Sequence, residues 1–178
     1  PRFVAEGLRR ELFAELQKCY PETDRVWVIA DLDDDQVAKG LQQQGTPSIV
    51  QLHGNESPLR CQELRKLHPH IKWWKALRIQ TEQDISKTHR FEYHADALLL
   101  DAWSPFELGG TGSRLPVEWL YKAKFKLPWW LAGGISSEWI PKILSNLEPF
   151  GIDSSSRLET SPGIKDIQKV HALIKAIR

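Results

Sequence analysis

Short apolar runs alternate with helix-like segments along almost the whole chain, and this alternation restricts the fold more than any other feature. Six apolar runs predict strands over residues 25–30, 48–52, 72–79, 97–101, 129–132 and 151–153. Strands that alternate with helices form a parallel sheet covered by helices, because each connection must cross back over the sheet. Their nearly continuous apolar character fits strands that are buried on both faces. The sequence therefore predicts an α/β fold, either doubly wound or closed into a barrel.

The segments between these runs carry the residue spacing of amphipathic helices. The first predicted helix, over residues 4–20, places apolar residues three or four positions apart at Ala5, Leu8, Leu12, Leu16 and Cys19. The last helix has a similar stripe, which we expect to be buried, at Ile167, Val170, Ile174 and Ile177. Ser57-Pro58 predicts a helix start, because a hydroxyl caps a helix and proline suits its first turn.

The length of 178 residues fits one domain, spanning residues 1–178. A closed β/α barrel needs eight strands, whereas this sequence provides six strand–helix units. Either two N-terminal strands lie outside this sequence, or the chain forms an incomplete barrel whose sheet edges are exposed. The start at Pro1 and the lack of any methionine favour the first alternative.

Composition excludes several classes of function. A net charge of +1 gives no reason to expect a nucleic acid or an acidic membrane surface as partner. No apolar run is long enough to cross a bilayer. Cys19 and Cys61 are predicted to be buried free thiols of a protein in the reducing cytoplasm. The acidic run Asp33-Asp34-Asp35 fits the first turn of a helix, and no spacing supports a metal site.

Asp101 ends an apolar strand, Ala97-Leu98-Leu99-Leu100. Catalytic residues of β/α barrels lie at the carboxyl ends of strands. Burial beside apolar walls would raise the pKa of Asp101 and suit it to general acid catalysis, although an aspartate here can also cap a helix or anchor a loop. The following run, Gly109-Gly110-Thr111-Gly112, predicts a flap that closes over substrate.

Two later strand ends together predict a phosphate site. Leu131-Ala132 is followed by Gly133 and Gly134, and Gly151-Ile152 is followed by Asp153 and the hydroxyl run Ser154-Ser155-Ser156. Glycines that allow close backbone approach, together with hydroxyls and backbone N–H groups, form a cradle for an anion. Asp153 either binds a sugar hydroxyl or orders this loop. His53 lies at another strand end, where it either orients the substrate or shuttles a proton, or has a structural role and forms its hydrogen bonds with a neighbouring loop.

Taken together, these motifs and their order resemble the phosphoribosylanthranilate isomerase family of tryptophan biosynthesis, most closely its cyanobacterial members. The motifs are Gln51-Leu52-His53-Gly54, Leu99-Leu100-Asp101, Gly109-Gly110-Thr111-Gly112, Leu131-Ala132-Gly133-Gly134, Gly151-Ile152-Asp153-Ser154-Ser155-Ser156 and Ser161-Pro162-Gly163-Ile164-Lys165-Asp166. The resemblance implies a TIM-type (β/α)8 barrel, a phosphosugar substrate and an Amadori rearrangement. It also implies that no cofactor or metal is needed, and it leaves a homodimer open.

The resemblance implies a role for each candidate site residue. Asp101 would be the general acid that protonates the ring oxygen of the sugar. Arg2 would pair with the anthranilate carboxylate, a task that suits a guanidinium fork. His53 and Asp153 would also contact substrate. The phosphate would be held by Gly133, Gly134, Ser155 and Ser156.

Three departures from the family pattern stand out. The catalytic cysteine of the family, in a Lys-Ile-Cys-Gly motif, has no counterpart here, so the 178 residues alone are not expected to turn over substrate. Arg157 replaces a glycine and would either contact the phosphate or block its site. Trp27 replaces a small residue and is expected to fill space inside the barrel. Two hypotheses remain: an isomerase whose base lies upstream, or a non-catalytic relative kept for binding or assembly.

Overall fold

The computed structural model describes residues 4–42, 44–102 and 114–178. These residues fall into two compact units. The N-terminal unit lies within residues 4–76 and also includes Tyr93–Asp96. The C-terminal unit consists of Leu77–Glu92 and the described part of Ala97–Arg178. Arg2 and the glycine-rich run at 109–112 lie outside the described residues, so the roles predicted for them stay predictions.

The N-terminal unit alternates helices and strands from its first element. Its elements are α1 (Glu6–Cys19), β1 (Val26–Ile29), α2 (Asp34–Leu41), β2 (Ile49–Leu52), α3 (Pro58–Leu67) and the first part of β3 (Lys72–Ile79). Strand β2 is buried at all four positions and pairs in parallel with both β1 and β3. The three strands therefore form one parallel layer, as their apolar sequences predict.

The C-terminal unit begins with the end of β3 and contains more short 3-10 helices. Its strands are β4 (Ala97–Ala102), β5 (Trp129–Leu131), β6 (Gly151–Ile152), β7 (Glu159–Ser161) and β8 (Ile164–Lys165). Its α-helices are α4 (Ile140–Leu144) and α5 (Ile167–Ile177), and its 3-10 helices are Glu82–Phe91, Val117–Leu120, Ser137–Trp139 and Ser156–Leu158. Strands β4, β5 and β6 pair in parallel, whereas β7 and β8 form a small antiparallel hairpin.

The six main strands follow one another in the sheet in chain order, from β1 to β6. Each of the six strands predicted from the sequence is present, with its ends shifted by at most one residue. The hairpin formed by β7 and β8 was not predicted, because its strands have three and two residues and lack a long apolar run. The core of the sheet is aliphatic, with Leu98, Leu99 and Leu100 almost completely buried.

Side-chain caps fix the starts of two helices in the N-terminal unit. Asp33 accepts a hydrogen bond from the backbone N–H of Gln36 at 2.8 Å, and the Gln36 side chain accepts one from the backbone N–H of Asp33. This reciprocal arrangement explains the acidic run at 33–35 as a helix start. Ser57 accepts from the backbone N–H of Arg60 at 3.1 Å, with Pro58 at the first helical position. The helix start predicted at Ser57-Pro58 is therefore confirmed.

The buried stripe predicted for the last helix is wrong, and the apolar stripe of the first helix is largely exposed as well. In α1 the buried residues are Arg9 and Phe13, whereas Leu8 and Leu12 are exposed. Cys19 is also exposed, while Cys61 in α3 is buried as predicted. In α5 only Leu173 is buried, while Ile167, Ile174 and Ile177 are exposed. Apolar spacing identifies a helix face, but the elements packed beside the helix decide whether that face is covered.

Trp27 does not fill space inside a barrel. Its ring lies so close to Gly40 of α2 that a Cβ at that glycine would come within 2.0 Å of the indole. On the ring also lies the guanidinium of Arg9, whose central carbon is 4.5 Å from the ring centroid. Arg9 in turn donates to the carbonyl of Gly40 at 3.0 Å. Both contacts are with helices, so Trp27 packs on the helix-covered side of β1. The expected position was wrong because the size of a residue does not reveal which face of a strand it occupies.

Lys75 and Glu56 form a buried ion pair in the N-terminal unit. Their side chains are 3% and 4% exposed, and Nζ lies 2.8 Å from Oε2. Lys75 also donates to the carbonyls of Leu52 and Gly54, and Glu56 accepts from the backbone N–H of Asp31. The pair therefore ties β3 to the loop that follows β2.

Replacing Lys75 with methionine is expected to lower the free energy of unfolding by about 3 kcal/mol, because the Glu56 carboxylate would stay buried without its cation. Urea unfolding measures this change. The double variant Lys75→Met/Glu56→Leu is the matched control, and it should recover most of the loss because neither charge remains. Equal destabilisation in the single and double variants would contradict this explanation.

None of the helices in the described part of the chain has the length and apolar content needed to cross a bilayer.

Candidate active site

Asp101 lies near the C-terminal end of β4 and is half-buried. Burial raises the pKa of its carboxyl group to about 6, and the nearby negative charge of Asp153 acts in the same direction. A hydrogen bond with the backbone of Ala102 and the positive charge of Arg78 oppose this rise only in part. A carboxyl group with a pKa near 6 is partly protonated at neutral pH, so it can donate a proton in catalysis.

The two glycines after β5 lie beside this acid. Gly133 and Gly134 have φ angles of +90° and +62°, a backbone region that residues with a side chain rarely adopt. A Cβ on Gly133 would come within 2.6 Å of the Ala102 Cβ and 3.0 Å of Asp101 Oδ1. The glycine is therefore required both for the turn and for the close approach of the backbone to the Asp101 carboxyl group.

The loop after β6 is joined to the loop after β5. Ser154 Oγ donates to the carbonyl of Ile135 at 2.6 Å, and the backbone N–H of Asp153 donates to the carbonyl of Leu131 at 2.8 Å. Ser155 is exposed and immediately precedes the short helix Ser156–Leu158. The two strand ends predicted to form an anion cradle are therefore linked by hydrogen bonds in the C-terminal unit.

Asp153 follows β6 and adds a second carboxyl group to this region. Partial desolvation raises its pKa, and the positive charge of Lys165 opposes that rise. Solvent still reaches this residue, which weakens the effect of desolvation. Because Asp153 in turn raises the pKa of Asp101, the two carboxyl groups are electrostatically coupled.

His53 belongs to the N-terminal unit, just beyond the end of β2. Its backbone N–H donates to the carbonyl of Ile29 at 2.7 Å, and its Nδ1 lies 2.9 Å from Nε2 of Gln51. The side chain of Gln51, two residues earlier on β2, therefore contacts the imidazole ring directly. The ring of His53 is thus oriented by its own strand, which fits the structural interpretation as well as the catalytic one.

Two charged residues of this region were missed at the level of the sequence. Arg78, the next-to-last residue of β3, acts electrostatically on Asp101, and Lys165 of β8 contacts Ser155. The position of Arg78 near the carboxyl end of β3 is the sequence signal that could have indicated its effect on Asp101.

Arg157 lines a cleft of about 370 Å³ together with Arg114, Ser136 and Ser156. The described residues contain no cluster of three or more His, Cys, Asp or Glu side chains able to hold a metal ion.

Comparison with known proteins identifies the family. The sequence model of the N-(5'-phosphoribosyl)anthranilate (PRA) isomerases matches residues 5–176. The chain belongs to this family. The PRA isomerase of Synechococcus elongatus is 40% identical over 181 residues, which cover 99% of this chain and 81% of that protein.

Solved structures of PRA isomerases share the fold. The enzyme from Thermotoga maritima matches with a TM-score of 0.84 and 24% identity over 99% of this chain and 82% of its own. A PRA isomerase in complex with reduced 1-(o-carboxyphenylamino)-1-deoxyribulose 5-phosphate matches with a TM-score of 0.77 and 24% identity, covering 99% and 80%. The predicted family, the barrel-type α/β fold with six strand–helix units and the isomerase class are confirmed. Family membership favours the PRA isomerase over the non-catalytic relative.

Proposed function

We propose that Asp101 is the general acid in the Amadori rearrangement of N-(5'-phosphoribosyl)anthranilate. One observation carries this assignment: a half-buried carboxyl group with a pKa of about 6 lies at a strand end, against the glycine turn that begins at Gly133. An ordinary aspartate would be almost fully ionised at neutral pH, whereas this one keeps a protonated fraction for proton transfer.

The reaction proceeds through ring opening. The Asp101 carboxyl group donates its proton to the ring oxygen of the ribose, the bond between that oxygen and C1 breaks, and the anthranilate nitrogen forms an iminium with C1. A base then takes up the proton on C2 to give an enolamine, which tautomerises to the amino ketose. Asp101 leaves this sequence as a carboxylate and is reprotonated from solvent before the next turnover.

The phosphate of the substrate is proposed to lie between the loops after β5 and β6. Gly133 and Gly134 allow the backbone to approach an anion closely, and Ser155 and Ser156 add hydroxyl groups. The hydrogen bond from Ser154 to the carbonyl of Ile135 supports this arrangement, because it holds the two loops together at 2.6 Å.

Three further residues complete the proposed set. Asp153 would bind a hydroxyl of the sugar, His53 would contact the substrate, and Arg2 would pair with its anthranilate carboxylate. Neither cysteine of this sequence suits the base, because Cys19 is exposed on α1, and burial raises the pKa of Cys61 to about 11. The acceptor of the C2 proton is therefore not assigned to either thiol.

Complementation tests the function as a whole. The complete gene should restore growth of a tryptophan auxotroph that lacks the isomerase, and the purified product should convert N-(5'-phosphoribosyl)anthranilate without added metal or cofactor. A folded, well-expressed product that does neither would contradict the proposal.

Replacing Asp153 with asparagine is expected to move the pH dependence of activity. The Asp153 charge raises the pKa of Asp101, so its removal lowers that pKa. General acid activity falls as the pH rises through this pKa, so the falling limb of the kcat/KM profile should move to lower pH. Glu118→Gln, an exposed carboxylate paired with Lys142, is the control and should leave the limb in place. An unmoved limb in the Asp153 variant would argue against this coupling.

The single domain over residues 1–178, the homodimer and the cytoplasmic location stay predictions. We propose that the complete product unfolds in one cooperative transition, as a single domain does. Sedimentation velocity on the same protein tests the homodimer.

A further inference from the structure

The hairpin formed by β7 and β8 brings Lys165 to the loop after β6. Glu159 of β7 pairs with Lys165 of β8 in the antiparallel register. Asp166 follows the hairpin directly and caps α5 by accepting from the backbone N–H groups of Gln168 and Lys169. Lys165 is therefore the last residue of a short hairpin that leads straight into a capped helix.

The ammonium group of Lys165 makes three contacts. Nζ lies 3.0 Å from the carbonyl oxygen of Ser155, 3.0 Å from Ser155 Oγ and 2.8 Å from Glu159 Oε1. The Glu159 side chain is 5% exposed, whereas that of Lys165 is 43% exposed. A buried carboxylate therefore anchors the ammonium, and the ammonium contacts both the backbone and the side chain of one serine.

These contacts restrict what Ser155 can do. An ammonium group can only donate hydrogen bonds, so both Ser155 oxygens accept from Lys165 and the hydroxyl hydrogen points away from it. The Ser155 carbonyl also accepts from the backbone N–H of Leu158 at 3.0 Å, the first hydrogen bond of the short helix that follows. The contacts of Ser155 with Lys165 and Leu158 thus restrict the direction of the hydroxyl hydrogen and hold the start of this helix.

We propose that Lys165 is a positioning residue for the phosphate subsite: it holds Ser155 in place to donate to an anion and adds a positive charge behind that serine. This inference rests on the proposed function, in which Ser155 contacts the substrate phosphate. Preorganised donors with a fixed charge behind them bind an anion more tightly than a mobile loop does, because less reorganisation is needed when the anion arrives.

A double-mutant cycle with inorganic phosphate as the probe tests this inference on the complete gene product. Calorimetry should show that Ser155→Ala and Lys165→Met each raise the Kd for phosphate about tenfold, the loss expected for a hydrogen bond to a charged group. The double variant should lose about as much as either single variant, because Lys165 acts through Ser155. With substrate, Lys165→Met should raise KM and leave kcat within about twofold, since the phosphate lies away from the reacting bonds.

Two variants separate positioning from general structural damage. Lys165→Arg keeps the charge and the donors, so it should recover part of the phosphate affinity. Lys175→Met is the matched control, because it removes the same charge from the exposed last turn of α5. It should leave the Kd for phosphate unchanged.

Three results would overturn the inference, and they differ in how much of the proposed phosphate site they leave intact. Additive losses near a hundredfold in the double variant would mean that Lys165 contacts the phosphate by itself. An unchanged Kd in Lys165→Met, with a raised Kd in Ser155→Ala, would remove Lys165 from the subsite and leave the proposed phosphate site intact. An unchanged Kd in Ser155→Ala would remove Ser155 from the phosphate site as well, and with it that part of the proposed function.

Discussion

Replacing Asp101 with asparagine is expected to lower kcat by about 10²–10⁴-fold, the usual contribution of a general acid. Asparagine has nearly the same shape as aspartate but cannot transfer a proton, so the fold should be retained. Steady-state kinetics on the complete gene product measure the loss. Glu11→Gln, an exposed charge change on α1, should keep full activity. Retained turnover in a purified Asp101→Asn protein would remove Asp101 from the acid role.

The same variant should be more stable than the native protein at alkaline pH. The pKa of Asp101 rises from its ordinary value of 3.8 to about 6 on folding, so the folded state binds this proton more tightly than the unfolded state. The stability contributed by the protonated carboxyl group is complete below pH 4 and is lost as the pH rises through 6. A shift of this size corresponds to at most about 3 kcal/mol, and less for a group that solvent partly reaches.

Urea unfolding at two pH values checks this sign. At pH 8 the Asp101→Asn protein should exceed the native protein by about 1–3 kcal/mol, whereas at pH 3.5 the two should be nearly equal. A gain that is the same at both pH values would show that the cause is not the ionisation of Asp101. A gain confined to pH 8 would mean that the ionised Asp101 carboxylate destabilises the folded protein. Catalytic groups often lower stability in this way.

Replacing Gly133 with alanine is expected to remove activity and to lower the free energy of unfolding by up to about 5 kcal/mol. The φ angle of +90° is strained for any side chain, and the new Cβ would meet Ala102 and the Asp101 carboxyl group. The collision either pushes Asp101 out of place or twists the turn that is proposed to hold the phosphate. Chemical unfolding and steady-state kinetics measure the two effects.

Gly163 provides a matched control for this prediction. It has a φ angle of +87°, but a Cβ there would meet nothing within 4 Å. Gly163→Ala should therefore show the backbone strain alone, about 1 kcal/mol, and should keep most of the activity. Equal losses in the two variants would mean that the close approach to Asp101 has no part in the effect.

The strands and their ends could be predicted because their signals are local. A run such as Ala97-Leu98-Leu99-Leu100 suits a strand covered on both faces, and the residue that follows it then lies at the carboxyl edge of the sheet. Asp101 was identified in this way, as were Gly133 and Asp153. Parallel strands align their carboxyl ends, so the sequence alone predicts that residues far apart along the chain lie at one edge of the sheet.

The faces of the outer helices could not be predicted in the same way. Leu8 and Leu12 have the spacing of a buried stripe, yet Arg9 and Phe13 are the residues that α1 buries. Arg9 is buried because it stacks on Trp27 and donates to the carbonyl of Gly40, two partners that lie 18 and 31 residues away. Contacts of this kind depend on which elements become neighbours, and residue spacing does not contain that information.

The amino-acid sequence by itself determined the α/β class, the positions of the six strands and the edge at which Asp101 and the glycine turn lie, because periodicity and turn chemistry act over a few residues. Only the tertiary structure decided the electrostatics of the site. The pKa of Asp101 depends on burial and on Asp153, 52 positions further along the chain, and the orientation of Ser155 depends on Lys165 across a hairpin. Both effects act through space, so they exist only once the chain has folded.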